Sequence, residues 1–118
     1  YSGKLFNNSN FDLIINISED GWFGNSIGPQ QHFIHSIFRA IESGKYLLRS
    51  TNNGVSAIIN PIGIVEQKTE FGQNGHLDFT ENRKIQPTVF SKFGNKIFLL
   101  LILLYIFLII SFNRINNE

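Results

Sequence analysis

The run from Ile97 to Phe112 reads Ile-Phe-Leu-Leu-Leu-Ile-Leu-Leu-Tyr-Ile-Phe-Leu-Ile-Ile-Ser-Phe and carries no charge. A helix that is apolar on every side has no face to offer water, so it must be enclosed by protein or surrounded by lipid. Its sixteen residues rise roughly 24 Å as a helix, somewhat less than the roughly 30 Å hydrocarbon core of a bilayer. Phe93 to Asn95, with Lys96 and Arg114 snorkelling at the two ends, make up the difference. A transmembrane helix is therefore expected in preference to a buried core helix. Its C-terminal position excludes a signal peptide. Arg83, Lys84, Lys92 and Lys96 precede the span and Arg114 follows it, a distribution that by the positive-inside tendency would put the preceding part in the cytoplasm.

The remainder is a different kind of chain. The whole chain, with 118 residues, 42% of them hydrophobic, and a formal net charge of +1, allows one modest domain and shows no charge excess for a nucleic-acid partner. There is no cysteine, which excludes a disulfide framework, a thiolate metal site and a cysteine nucleophile within these residues. There is also no methionine, and residue 1 is Tyr. The expectation is a partial sequence lacking whatever stood before Tyr1.

The soluble part is organised around the stretch from Ile14 to His32. Asn7 to Asn10 reads as a surface loop, and Phe11 to Ile17 then supplies Leu13, Ile14, Ile15 and Ile17, an apolar run of strand length expected to be buried on both faces. A loop follows with Gly21, Gly24, Gly28 and the one tryptophan, Trp22, next to Phe23. A polar loop between a strand and a helix is where α/β proteins place ligands, so these two aromatics either line a pocket or plug the sheet edge. From Pro29 to Ser43 a stripe of Phe33, Ile34, Ile37, Phe38 and Ile41 predicts a helix, with Pro29 in its first turn and Gly44 just past its end. Strands are expected at Tyr46–Thr51, Val55–Asn60 and Ile64–Thr69, joined by Asn52-Asn53-Gly54 and Pro61-Ile62-Gly63, with a fourth at His76–Thr80. Glu81 to Ser91, containing Pro87, reads as a linker.

Few of the polar residues form a chemical constellation. Glu19 and Asp20 are adjacent carboxylates at a strand end, suited to holding a proton or cation or to capping and turning the loop. His32 and His35 lie one helical turn apart, but no carboxylate or cysteine stands at a telling spacing to complete a metal site. Arg39 and Glu42 are placed for a local ion pair. No nucleophile-elbow glycine pattern surrounds Ser18, Ser26 or Ser50. No complete catalytic set can be assembled from these residues.

Three segments carry a resemblance. The run Asn16-Ile17-Ser18-Glu19-Asp20-Gly21-Trp22-Phe23-Gly24-Asn25-Ser26-Ile27-Gly28-Pro29-Gln30-Gln31-His32, the helix segment Phe38-Arg39-Ala40-Ile41-Glu42 and the stretch from Leu48 to Ile59 together resemble the C-terminal part of the apolipoprotein N-acyltransferase family. That family is a membrane branch of the nitrilase, or carbon-nitrogen hydrolase, superfamily. A terminal apolar helix after a Pro-containing linker fits the same resemblance.

The resemblance implies an α/β fold: part of an α-β-β-α nitrilase-like sandwich, made of a strand, a loop, a helix and a meander of short strands, followed by one C-terminal transmembrane helix. Residues 1–86 would belong to the hydrolase domain, 87–96 to a linker, 97–112 to the span and 113–118 to a polar tail. It further implies a Glu-Lys-Cys triad in which the Cys takes an acyl group from a phospholipid and passes it to the N-terminal cysteine amine of an apolipoprotein. None of Glu19, Glu42, Lys4 or Lys45 matches the triad positions, which lie upstream of Tyr1 in the family pattern, so the piece alone is expected to be inactive. The residues carried over are Trp22, and less directly Phe23, as contacts for the acyl chain. No cofactor or metal is implied; the implied partners are the phospholipid donor, the apolipoprotein acceptor, the membrane and the upstream part of the same enzyme. Glu19 stands where the family pattern has Asn, adding a negative charge beside the loop. The family's topology places the soluble part in the periplasm of the bacterial inner membrane, opposite to the charge count.

Overall fold

In the computed structural model, residues 11–80 and 83–116 are described. The expected surface loop at Asn7–Asn10 and Lys4 lie outside them. Strand β1 (Leu13–Glu19) runs into a single 3-10 turn (Gly21–Phe23), then helix α1 (Gly28–Ser43), then strands β2 (Tyr46–Asn52), β3 (Ala57–Ile59) and β4 (Val65–Lys68). Two more helices follow, α2 (Val89–Phe93) and α3 (Lys96–Asn116). The sheet has the order β1-β2-β3-β4, with β1 parallel to β2 and the remaining pairs antiparallel. Only the β1–β2 pair is parallel, and α1 is its crossover.

Register decides what each residue meets. Leu13 pairs with Tyr46 and Glu19 with Asn52, so Ile14, Asn16 and Ser18 share a face with Leu47 and Arg49. Onto that face α1 packs Phe33, Ile37 and Ala40, which with Ile14, Leu47, Ala57, Ile59 and Val65 form the core. The helix begins with Pro29 in its first turn and closes on Gly44 at φ 65°, both as the sequence predicts. Its buried stripe is narrower than predicted, because Ile34 and Phe38 are exposed.

The opposite face departs from expectation. β1 was expected to be buried on both sides, yet Ile15 is 66% and Ile17 83% exposed, because little among the described residues covers the outward face of this strand. The described residues thus supply one helix layer and one sheet of the expected four-layer sandwich. The predicted fourth strand at His76–Thr80 is not a strand. The segment runs over the outer face instead, where Gly75, His76, Leu77 and Phe79 line a cleft with Ile15, Leu48 and Ile58 and the Phe79 ring stacks at a tilt 5.2 Å from that of Tyr46. Its apolar side chains are used to cover the sheet rather than extend it.

A short helix, α2, lies within the stretch read as linker. The Thr88 hydroxyl caps it by accepting from the Ser91 amide and also donates to the Ile41 carbonyl at 3.2 Å, fastening α2 to the end of α1. From there α3 projects; its segment Lys96–Arg114 is long and apolar enough to cross a membrane, and none of it is buried against the rest of the molecule.

Candidate functional site

The glycine-punctuated loop after β1 folds around Asp20. Its carboxylate is fully buried and accepts from the Arg49 guanidinium (Nη2 to Oδ2, 2.8 Å), while Oδ1 pairs with His32 Nδ1 at 2.6 Å. Arg49 comes from the core-facing side of β2 and is itself buried. Its other nitrogens are engaged as well: Nη1 lies within hydrogen-bonding distance of Asn16 Oδ1 at 2.7 Å, Ser18 Oγ at 3.1 Å and Ser36 Oγ at 2.9 Å, and Nε donates to the Val55 carbonyl at 3.2 Å. A buried guanidinium is tolerated only when its fork of donors is satisfied in this way. Burial by itself would push the Asp20 carboxyl up; the hydrogen bonds and positive charge of His32 and Arg49 outweigh that and hold it below the usual carboxylate value.

This network anchors the aromatic turn. The Asp20 carbonyl accepts from the Phe23 amide, and the Asp20 amide donates to the Asn52 carbonyl at 3.1 Å. Phe23 then stacks edge-on against His32, with ring centroids 5.8 Å apart, and Trp22 meets Phe23 edge-on at 6.2 Å. Trp22 ends this chain of contacts 80% exposed, an open aromatic face at the loop's tip.

Two glycines make the arrangement possible. A Cβ on Gly28 would strike the Phe23 ring, so the start of α1 approaches the turn only because that residue has no side chain. A Cβ on Gly54 would run into the Asp20 carboxylate and come 2.8 Å from Thr51 Oγ1. The Asn52-Asn53-Gly54 turn, with Asn53 at φ 54°, therefore closes directly over the buried pair.

The two adjacent carboxylates have separate fates. Glu19 holds the turn, its Oε1 accepting from the Gly21 amide at 2.6 Å and its Oε2 from Asn52 Nδ2 at 2.7 Å, while Asp20 enters the buried network. His35 is exposed on α1, and among the described residues no group of three or more metal-ligating side chains comes together. Arg39 and Glu42 form the expected ion pair at 2.6 Å.

Sequence reasoning missed Arg49 as the centre of the site. The available signal was its parity: it lies two residues from Leu47, on the same face of a strand, and a cation on a core-facing position demands a carboxylate. The pairing with Asp20 joins positions 29 apart in the chain, which no local spacing reveals.

The carbon-nitrogen hydrolase family model matches residues 5–77, the span that carries the sheet, α1 and the aromatic turn. Among curated proteins the chain is 47% identical over 104 residues to an apolipoprotein N-acyltransferase of Rickettsia bellii (strain RML369-C), covering 87% of the chain and 21% of that protein. It is 43% identical over 113 residues to the enzyme of the same name from Rickettsia prowazekii (strain Madrid E), covering 95% of the chain and 23% of that protein. A 45% identity over 86 residues relates it to the Wigglesworthia glossinidia brevipalpis protein so named, over 73% of the chain and 17% of that protein. The chain thus spans about a fifth of the length of these relatives.

Proposed function

The chain belongs to the carbon-nitrogen hydrolase family, and from that premise we propose that it forms the C-terminal part of a membrane N-acyltransferase that moves an acyl chain from phospholipid to the N-terminal cysteine amine of apolipoproteins. One observation favours this over an amidase acting on a soluble substrate. The likeness to the Rickettsia prowazekii protein covers 95% of the chain and so continues beyond the hydrolase match through the apolar helix α3. A soluble amidase has no use for such a tail.

The proposed chemistry is covalent acyl transfer. A cysteine thiolate attacks the phospholipid ester and releases the lysophospholipid, leaving a thioester; the lipoprotein amine then attacks the thioester carbonyl and regenerates the thiol. A glutamate serves as base and a lysine stabilises the oxyanion. These 118 residues contain no cysteine, so the chain alone is inactive. Its own contribution is threefold. The Trp22–Phe23 turn contacts the acyl chain, the Asp20–Arg49–His32 network fixes that turn, and α3 tethers the sheet to the bilayer with the soluble part facing the periplasm.

The test is Trp22→Ala in the enzyme that carries this chain. An acyl-transfer assay run beside a thermal melt is expected to show activity falling at least about tenfold while the melting temperature holds, because Trp22 is exposed and supports little packing. Equal losses in both would make Trp22 structural. Reading the coding sequence upstream of Tyr1 provides the second arm: an in-frame Cys-Tyr-Glu preceded by further spans supports the enzyme, and a stop codon or frameshift supports a non-catalytic, membrane-anchored remnant.

A further inference from the structure

The lysines ahead of α3 have no part in the chemistry above, and in the proposed orientation they run against the positive-inside tendency. The fold gathers them at one place. A cleft of about 410 Å³ opens between the α1–β2 junction, the segment around Lys84 and α2, and among the residues lining it are Lys45, Arg83, Lys84 and Lys92, with Asp12 the one carboxylate there among the described residues. Neither Lys84 nor Lys92 forms an ion pair among the described residues. Among the described lining residues the three lysines outnumber the one carboxylate, a balance that suits an anion.

Its position says which anion. Lys92 is four residues before Lys96, the first residue of the apolar helix, so at most about 15 Å of Cα path separates the cleft from the start of the span. The Thr88 hydroxyl bond to Ile41 holds α2, and with it the cleft, to the body of the domain. On α2 itself Val89 and Phe93 are exposed one turn apart, on the same side of the helix. An apolar helix edge beside a basic cleft, both next to the mouth of a membrane span, matches the headgroup layer, where acyl carbons and lipid phosphates meet.

We infer that this cleft is a binding site for the phosphate of an anionic phospholipid headgroup, separate from the Trp22 turn. The inference rests on the reading of α3 as a span, and the experiment distinguishes the two. The full chain is reconstituted in neutral phosphatidylcholine vesicles, washed with carbonate, and then probed with spin-labelled phosphatidylglycerol or spin-labelled phosphatidylcholine. Phosphatidylglycerol is expected to be enriched in the motionally restricted lipid by about threefold or more at low salt, and the enrichment to shrink near 1 M salt, where the Debye length falls to about 3 Å. The Lys45→Gln/Lys84→Gln/Lys92→Gln variant loses the enrichment, while Lys68→Gln, an exposed lysine on β4 away from the cleft, keeps it. Circular dichroism confirms that each variant is folded.

A chain retained in the vesicles with no lipid preference overturns the inference, as does a preference that the triple variant keeps or that Lys68→Gln also removes. Displacement of the label by inorganic phosphate at millimolar concentration would make the cleft a free-phosphate site and overturn the lipid assignment. A chain that carbonate strips from neutral vesicles sinks the reading of α3 before any label is added.

Discussion

Asp20 and Arg49 face each other with no solvent between them, and each would be costly to bury alone. Replacing Asp20 by Asn leaves a desolvated guanidinium without its counter-charge, and removal of one member of such a pair costs about 3–5 kcal/mol. The same residue sets an acid limit. Its carboxyl lies below the usual value when folded, so its contribution is full at neutral pH and is lost as pH falls through that lowered value, beneath the ordinary value of about 3.9. Thermal melts of the full chain in detergent, for wild type and Asp20→Asn, should differ most near neutrality and converge on acidification. A gap that does not change with pH would remove Asp20 from the account of stability. Arg49→Lys is not a rescue, since an ammonium cannot span Asp20, Asn16, Ser36 and the Val55 carbonyl at once.

At the scale of elements, most of what the chain builds was readable because it is local. The 3.6-residue period between Phe33 and Ile41 gives α1, and the run after Lys45 gives β2 in nearly its observed bounds. Period alone misled at His76–Thr80. Leu77 and Phe79 alternate with exposed neighbours as strand residues do, but alternation marks only a face that packs, and these side chains pack over the sheet. The parallel pairing of β1 with β2 and the burial of Arg49 were not readable either, since both depend on which strands become neighbours. α3 is the element with the plainest consequence. Ending the chain before Ile97 should release it from membranes, and retention of the truncated form after a carbonate wash would show that α3 is not the anchor.

Seen whole, the molecule extends 70 Å in its longest dimension and 22 Å in its shortest, a thin layer with an apolar rod attached. Its two sides are unequal. One is closed by α1, and the other leaves Ile15 and Ile17 to solvent, the surface that a second sheet of a nitrilase-like sandwich would take. An apolar face of this kind drives association when nothing covers it. The full chain in mild detergent should therefore sediment as oligomers, and Ile15→Asn/Ile17→Asn should sediment as a monomer without melting at a lower temperature. A double variant that stays oligomeric would place the contact elsewhere.

The buried pair also has a meaning in time. Asp20 directly follows one strand, Arg49 sits in the next, and His32 rides on the helix between them, so the clamp beneath Trp22 cannot shut until all three elements have docked. The turn that carries Trp22 consequently takes its shape only after segments far apart in sequence have met.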